Sequence, residues 1–220
     1  MARRRQRTEE ATDGTRERIL AAALEVFAER GFDGARTRDI AERAGANLGL
    51  ITYYFDGKEK LWKAAVAAAF APLQADLAEI FEAGVDDTEQ LQLLVRRFVR
   101  FVAREPAFMR LMNDEGKRDS PRMRWLADHF VRPMSQIVRA HVDRAQAQGF
   151  FPGVSPVSLH YIVVGAAGLI FSEAPECRYL TGVDPTDPEF AEQHAEALIR
   201  VLAPRGDSDS KQSRRRRTAR

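Results

Sequence analysis

Cysteine is nearly absent. Cys177 is the only one in 220 residues, so no disulfide can form within the chain, and a reducing compartment, the cytoplasm, fits best. Long apolar runs are missing too. The longest, YIVVGAAGLIF over residues 161–171, is too short to cross a bilayer and reads as a buried core helix. The Arg-rich start MARRRQR leads into TEEATDGTRER rather than an apolar segment, so no secretion signal is expected. There is no H-E-x-x-H, paired-cysteine spacing, G-x-S-x-G, P-loop or G-x-G-x-x-G. His129, His141, His160 and His194 are scattered, and Glu192, His194 and Glu196 lie two apart, on different faces of a helix. Cys177 has no base beside it in the sequence and reads as a small buried residue. No catalytic residue, metal site, cofactor or membrane span is expected, and the chain does not read as an enzyme.

What is present is ordinary in bulk: 45% hydrophobic and 30% charged residues, enough for a sizeable core. The net charge of +2 is uneven, since residues 205–220 carry +5 and leave −3 for the rest. Such a tail either binds nucleic acid without sequence preference or stays solvated and disordered. A protein binding DNA nonspecifically through its Arg-rich ends is therefore one alternative reading.

Hydrophobic spacing predicts an all-α chain, with no convincing strand alternation and no internal repeat. Ile19, Leu20, Ala23, Leu24 and Phe27 recur at helical spacing, so a first helix is expected over 15–30, capped by Thr15 and stopped at Gly31. A second runs from Thr37 to Gly45, and a short third from Asn47 to about Tyr54. Asp56, with Glu59 three residues on, predicts the cap of a fourth, which Pro72 should bend or split. Further helices are expected in DDTEQLQLLVRRFVRFVARE, in PAFMRLMNDEG and in SPRMRWLADHFVRPMSQIVRAHVDRAQAQG, the last interrupted at Pro133. VSLHYIVVGAAGLIFSEA is apolar nearly all round and should be buried on most sides. APECRYLTGVDPTDP is expected as a loop, and EFAEQHAEALIRVLA as the final helix. The chain thus divides into a flexible basic arm (1–14), a three-helix N-terminal domain (15–70), a larger helical domain (71–204) and a disordered basic tail (205–220).

The stretch AGANLGLITYYF, residues 44–55, carries the functional signal. Two helices meet at a tight turn: Ala41 allows close crossing, Gly45 tolerates positive φ, and Ile51 anchors the second helix with Phe55 one turn on. Leu48, Gly49, Thr52 and Tyr53 then fall on the outer side, where a short recognition helix would face a DNA major groove. Gly49 permits close backbone approach, Thr52 offers a hydroxyl and a methyl to base edges, and Tyr53 or Tyr54 offers a hydroxyl to phosphate. Thr37 and Asn47 lie at helix N-termini, where backbone N–H groups bind phosphate oxygens. Arg38 can reach guanine or the backbone, and Lys58 can clamp a phosphate.

TRDIAERAGANLGLITYYFDGKEKL resembles the TetR family of bacterial transcriptional regulators, with Thr37, Ile40, Ala41, Ala44, Gly45, Gly49, Tyr54, Phe55, Lys58 and Leu61 in register. RERILAAALEVFAERGFDGA is similar to the helix that precedes this motif in that family. Asn47 stands where Ser is common, and Thr52 where Tyr is frequent. The resemblance implies a cytoplasmic repressor that binds a palindromic double-stranded DNA operator as a homodimer and is released by a small molecule.

It also implies a dimer interface on the last two long helices, for which Leu159, Val163, Gly165, Ala167, Gly168, Phe171, Leu198, Ile199 and Leu202 are the candidates. Phe98, Val102, Phe108, Met112, Trp125 and His129 are candidates for an adaptable pocket taking a largely apolar or aromatic effector.

Overall fold

The structure is a computed structural model that describes residues 2–148, 151 and 153–202, with side chains from Gly14 onward. Eleven α-helices follow one another, with no strand among the described residues: α1 (Ala2–Gly34), α2 (Thr37–Arg43), α3 (Leu48–Phe55), α4 (Lys58–Glu82), α5 (Asp87–Arg104), α6 (Pro106–Gly116), α7 (Pro121–Leu126), α8 (Arg132–Ala147), α9 (Pro156–Ser172), α10 (Ala174–Thr181) and α11 (Pro188–Leu202). A π-helical segment, Ala127–Val131, joins α7 to α8.

α1 extends through the residues expected as an arm, so Thr15 lies inside it rather than capping it. Gly31 breaks its regularity with φ 67°, a conformation that costs glycine little. α1 buries Ile19, Leu20, Ala23, Leu24, Val26 and Phe27.

Three further expectations are corrected. Pro72 does not split α4, which runs unbroken to Glu82. Pro72 and Ala68, whose carbonyl loses its i+4 partner, are both exposed, so water can satisfy that carbonyl. Asp56 does not cap α4. It closes α3 in the left-handed region (φ 51°) and pairs with Lys60 at 2.7 Å, leaving Gly57 as the N-cap. The stretch expected as a loop after Glu173 contains a helix, α10, with Pro175 in its first turn. The interruption at Pro133 takes the form of the π-segment, closed by Arg132 N–H donating five residues back to Ala127 O.

One core runs from α1–α4 into α5–α11, including Trp62, Phe70, Val99, Val102, Leu126 and Phe171. Ion pairs lace its edges. Arg96 meets Glu196 at 2.6 Å and Arg100 donates to Glu192 at 2.7 Å, joining α5 to α11. Arg97 bridges Asp76 (2.6 Å) and Glu79 (2.7 Å) on α4. Asp87, on α5, accepts from Arg144 at 2.9 Å and lies 2.8 Å from His141 Nδ1, both on α8. α4 is long and apolar enough to cross a membrane, but Leu61, Trp62, Val66, Phe70, Leu73 and Leu77 form its buried face.

Candidate nucleic-acid interface

The α2–α3 unit is built by caps and anchors. Gly45 turns the chain at φ 60°, and Ala46 N–H donates to Ala41 O at 2.9 Å. Asn47 Oδ1 accepts from Gly49 N–H at 2.8 Å, an N-cap. Ile51 and Phe55 are buried beneath α3, and the Arg16 guanidinium lies 5.6 Å from the Phe55 ring centroid. From above, Arg43 forks onto Glu29 at 2.6 and 2.8 Å, while Arg30 pairs with Asp39. These pairs fix α2 against α1. The Arg43 hydrogen bond also holds the Glu29 carboxyl below its usual range.

The opposite face of α3 is open. Tyr53 is 77% exposed and Leu48 45%, with Gly49 and Thr52 also exposed. A Cβ at Gly49 would touch only Asn47 Oδ1, at 3.4 Å. Nothing among the described residues of the chain therefore demands glycine there. Tyr54 is half-buried, its ring centroid 5.1 Å from that of Tyr53. Arg38 is exposed with no ion-pair partner among the described residues, and Thr37 beside it is half-buried. Lys58 is not a free phosphate clamp in this structure. Its Nζ donates to Asp33 O at 3.2 Å and lies 4.8 Å from the Phe32 ring centroid.

The other candidate sites are rearranged. Phe108 stacks edge-on with Phe70 and Phe101, Phe70 stacks on Phe130, and Trp125 contacts Trp62, His129 and Phe130. Of the six residues named for a pocket, Val102 and Phe108 are core, Phe98, Met112 and Trp125 are half-buried, and His129 is exposed. None lines the cleft of about 500 Å³ that opens between the end of α1 and α6.

The dimer candidates mostly face inward. Leu159, Ala167, Gly168, Phe171, Leu198 and Ile199 are buried within the single chain, and Val163 and Leu202 are half-buried. A Cβ on Gly168 would fall 2.5 Å from Met109 Cε, so that glycine serves α6–α9 packing. Of those named, only Gly165 is exposed. The outward stripe of α9 is Val157, Tyr161, Ile162, Gly165, Ala166 and Leu169, beside Ala197 and Val201 of α11. An all-round apolar helix hides this phase, because 159, 163, 167 and 171 on the buried side share the four-residue spacing of 157, 161, 165 and 169 on the open one.

Glu192, His194 and Glu196 are structural, bound respectively to Arg100, Ala166 O and Arg96. Cys177 is only partly buried. Among the described residues no group of side chains could hold a metal ion.

The family model "Bacterial regulatory proteins, tetR family" matches residues 19–65, and "Tetracyclin repressor-like, C-terminal domain" matches residues 88–202. The chain belongs to the TetR family. It is therefore a helix-turn-helix transcription regulator and not an enzyme.

Among TetR-family relatives, the HTH-type transcriptional repressor NicS of Pseudomonas putida is 29% identical over 160 residues, 70% of this chain and 74% of that protein. The HTH-type transcriptional regulator RutR of Escherichia coli K12 is 26% identical over 87% of this chain and 90% of its own. The fold matches the ketosteroid transcriptional regulator KstR2 of Mycobacterium tuberculosis with a TM-score of 0.68 at 19% identity, covering 86% of this chain and 95% of that one. The fatty acid degradation regulator FadR from Bacillus halodurans gives 0.62 at 18% identity, covering 87% and 97%.

Proposed function

We propose that this TetR-family chain is a repressor that binds a palindromic DNA operator as a homodimer in the bacterial cytoplasm and is released by a small molecule. The observation that carries the reading is α3: anchored by Ile51 and Phe55 and open along Leu48, Gly49, Thr52 and Tyr53. A helix of eight residues reads only a few base pairs, so useful specificity requires two half-sites and two copies. The relative NicS is named a repressor, which favours the same sign of control here. The outward apolar stripe of α9 with Val201 of α11, exposed within one copy, is the face assigned to the second copy.

DNA contacts are assigned to Thr37, Arg38, Asn47, Leu48, Gly49, Thr52, Tyr53 and Tyr54, with Lys58 in a supporting position. The effector is assigned to the helical region beyond α4, where Phe98, Met112, Trp125 and His129 border the aromatic core.

The test is selection of genomic fragments by the purified protein at near-physiological salt, followed by sequencing. A single palindromic motif is the expected result. Broad retention without a motif would favour nonspecific binding through the Arg-rich ends, whose C-terminal part lies outside the described residues.

A further inference from the structure

The cleft between the end of α1 and α6 holds about 500 Å³, within the roughly 300–1,000 Å³ of small-molecule sites. Its lining is charged, unlike the aromatic core. The two helices come close beside it: a Cβ on Gly31 would fall 3.4 Å from Asp114 Oδ2. Part of that charge is satisfied within the chain. Glu29 is forked by Arg43, Arg30 pairs with Asp39, and Asp114 lies 3.4 Å from Arg118. The side chains of Arg110, Lys117, Asp33 and Glu173 have no hydrogen-bond or ion-pair partner among the described residues.

These unpaired groups are sorted by wall. Arg110, Asn113 and Lys117 follow one another along one face of α6 and its C-cap, at spacings of three and four residues. Arg110 is half-buried, its five N–H donors unclaimed by any described residue. Asp33 stands at the end of α1, and Glu173 follows α9. Two cations thus line the cleft from one wall and two carboxylates from the others. A site with unmatched charges of both signs selects a ligand that carries both, because an apolar or singly charged one leaves half of them unanswered. Glu29 and Arg30 also hold α2 against α1, so an occupant touches the support of the DNA-reading unit.

We infer that this cleft is a second small-molecule site, separate from the effector region beyond α4, and that it takes a zwitterion, a free amino acid or a dipeptide. The carboxylate sits on Arg110, Asn113 and Lys117, and the ammonium turns toward Asp33 and Glu173. The site goes beyond the regulator reading, and its test needs neither DNA nor a dimer.

The test titrates the nitrogen-15-labelled full chain with each of the twenty free amino acids and, separately, with their alanyl dipeptides, following backbone amide and arginine Nε–H resonances. At least one probe is expected to saturate with a Kd below about 1 mM, moving the amides of residues 28–34 and 110–118 together. N-acetylating that probe, or amidating its carboxylate, removes one charge and should weaken binding about tenfold or more. Arg110→Gln and Glu173→Gln should each weaken it about tenfold, with the parent's circular dichroism and melting temperature retained. Saturation by dipeptides alone would assign the site to peptides, and by free forms alone to amino acids. No saturable shift with any probe would overturn the site. Shifts centred on Phe108 and Trp125, with the cleft unmoved, would overturn it as well. Equal binding of the N-acetylated form would overturn the zwitterion.

Discussion

The guanidinium of Arg122 lies 4.0 Å from the ring centroid of Phe32, joining α7 to the end of α1. Glu115, only 2% exposed, holds that guanidinium at 3.0 Å. Lys58 approaches the same ring at 4.8 Å, from the first turn of α4, just past the turn that closes α3. A single aromatic ring of α1 thus meets cations from two other helices, α4 and α7.

Arg122→Leu leaves the Glu115 carboxylate buried and unpaired. The expected loss is about 3 kcal/mol of unfolding free energy in urea titration. Adding Glu115→Leu should restore most of it. A double variant as unstable as the single one would show that the ion pair is not the source of the loss.

Tyr53→Ala and Arg38→Ala remove exposed side chains and should leave the melting temperature within about a degree. Each should weaken operator binding by about 1–3 kcal/mol in a fluorescence-anisotropy titration. Unchanged affinity for both would remove α3 as the reading element.

Gly49→Ala meets only the cap oxygen of Asn47 within the chain. Stability should hold or rise slightly, because alanine favours helix, while DNA affinity falls at least tenfold. The pairing of those two opposite signs is the diagnostic.

Ile51→Ala empties the anchor under α3. It should cost about 2–5 kcal/mol, readable as a lower denaturant midpoint, and reduce binding to every DNA sequence alike.

Asp87 is held below its ordinary carboxyl range of 3.8 by the Arg144 hydrogen bond, aided by His141 and opposed by burial. A lowered folded pKa means that its contribution is complete above the unfolded value and fades as pH falls through the folded one. The stability difference between the parent chain and Asp87→Asn should therefore be flat near neutrality and shrink below about pH 4. A difference that grows on acidification would contradict the pairing.

Local chemistry made the DNA-reading unit legible. Gly45 at the turn, Asn47 as a cap and the Ile51–Phe55 spacing each act within a few residues, where sequence carries the information directly. APECRYLTGVDPTDP is rich in the proline and glycine of loops, yet Pro175 starts α10 and Gly182 caps it. The direction of α9 was not readable, since residues of similar apolarity lie on both its faces. Lys58 looked like a phosphate ligand until Phe32 and Asp33, twenty-five or so residues away, claimed it. Arg43–Glu29 and Arg122–Phe32 likewise join residues with no local pattern between them.

The unbroken course of α4 bears on how such molecules can be recombined. Leu61 and Trp62 near its start belong to the same apolar continuum as Phe70 and Leu73 farther along, and no linker divides them. A hybrid that exchanges reading heads at residue 70 would cut through interdigitated side chains and expose them on both fragments. The workable seam is a set of matched contacts rather than a point in the chain, and the parent should melt in one cooperative transition.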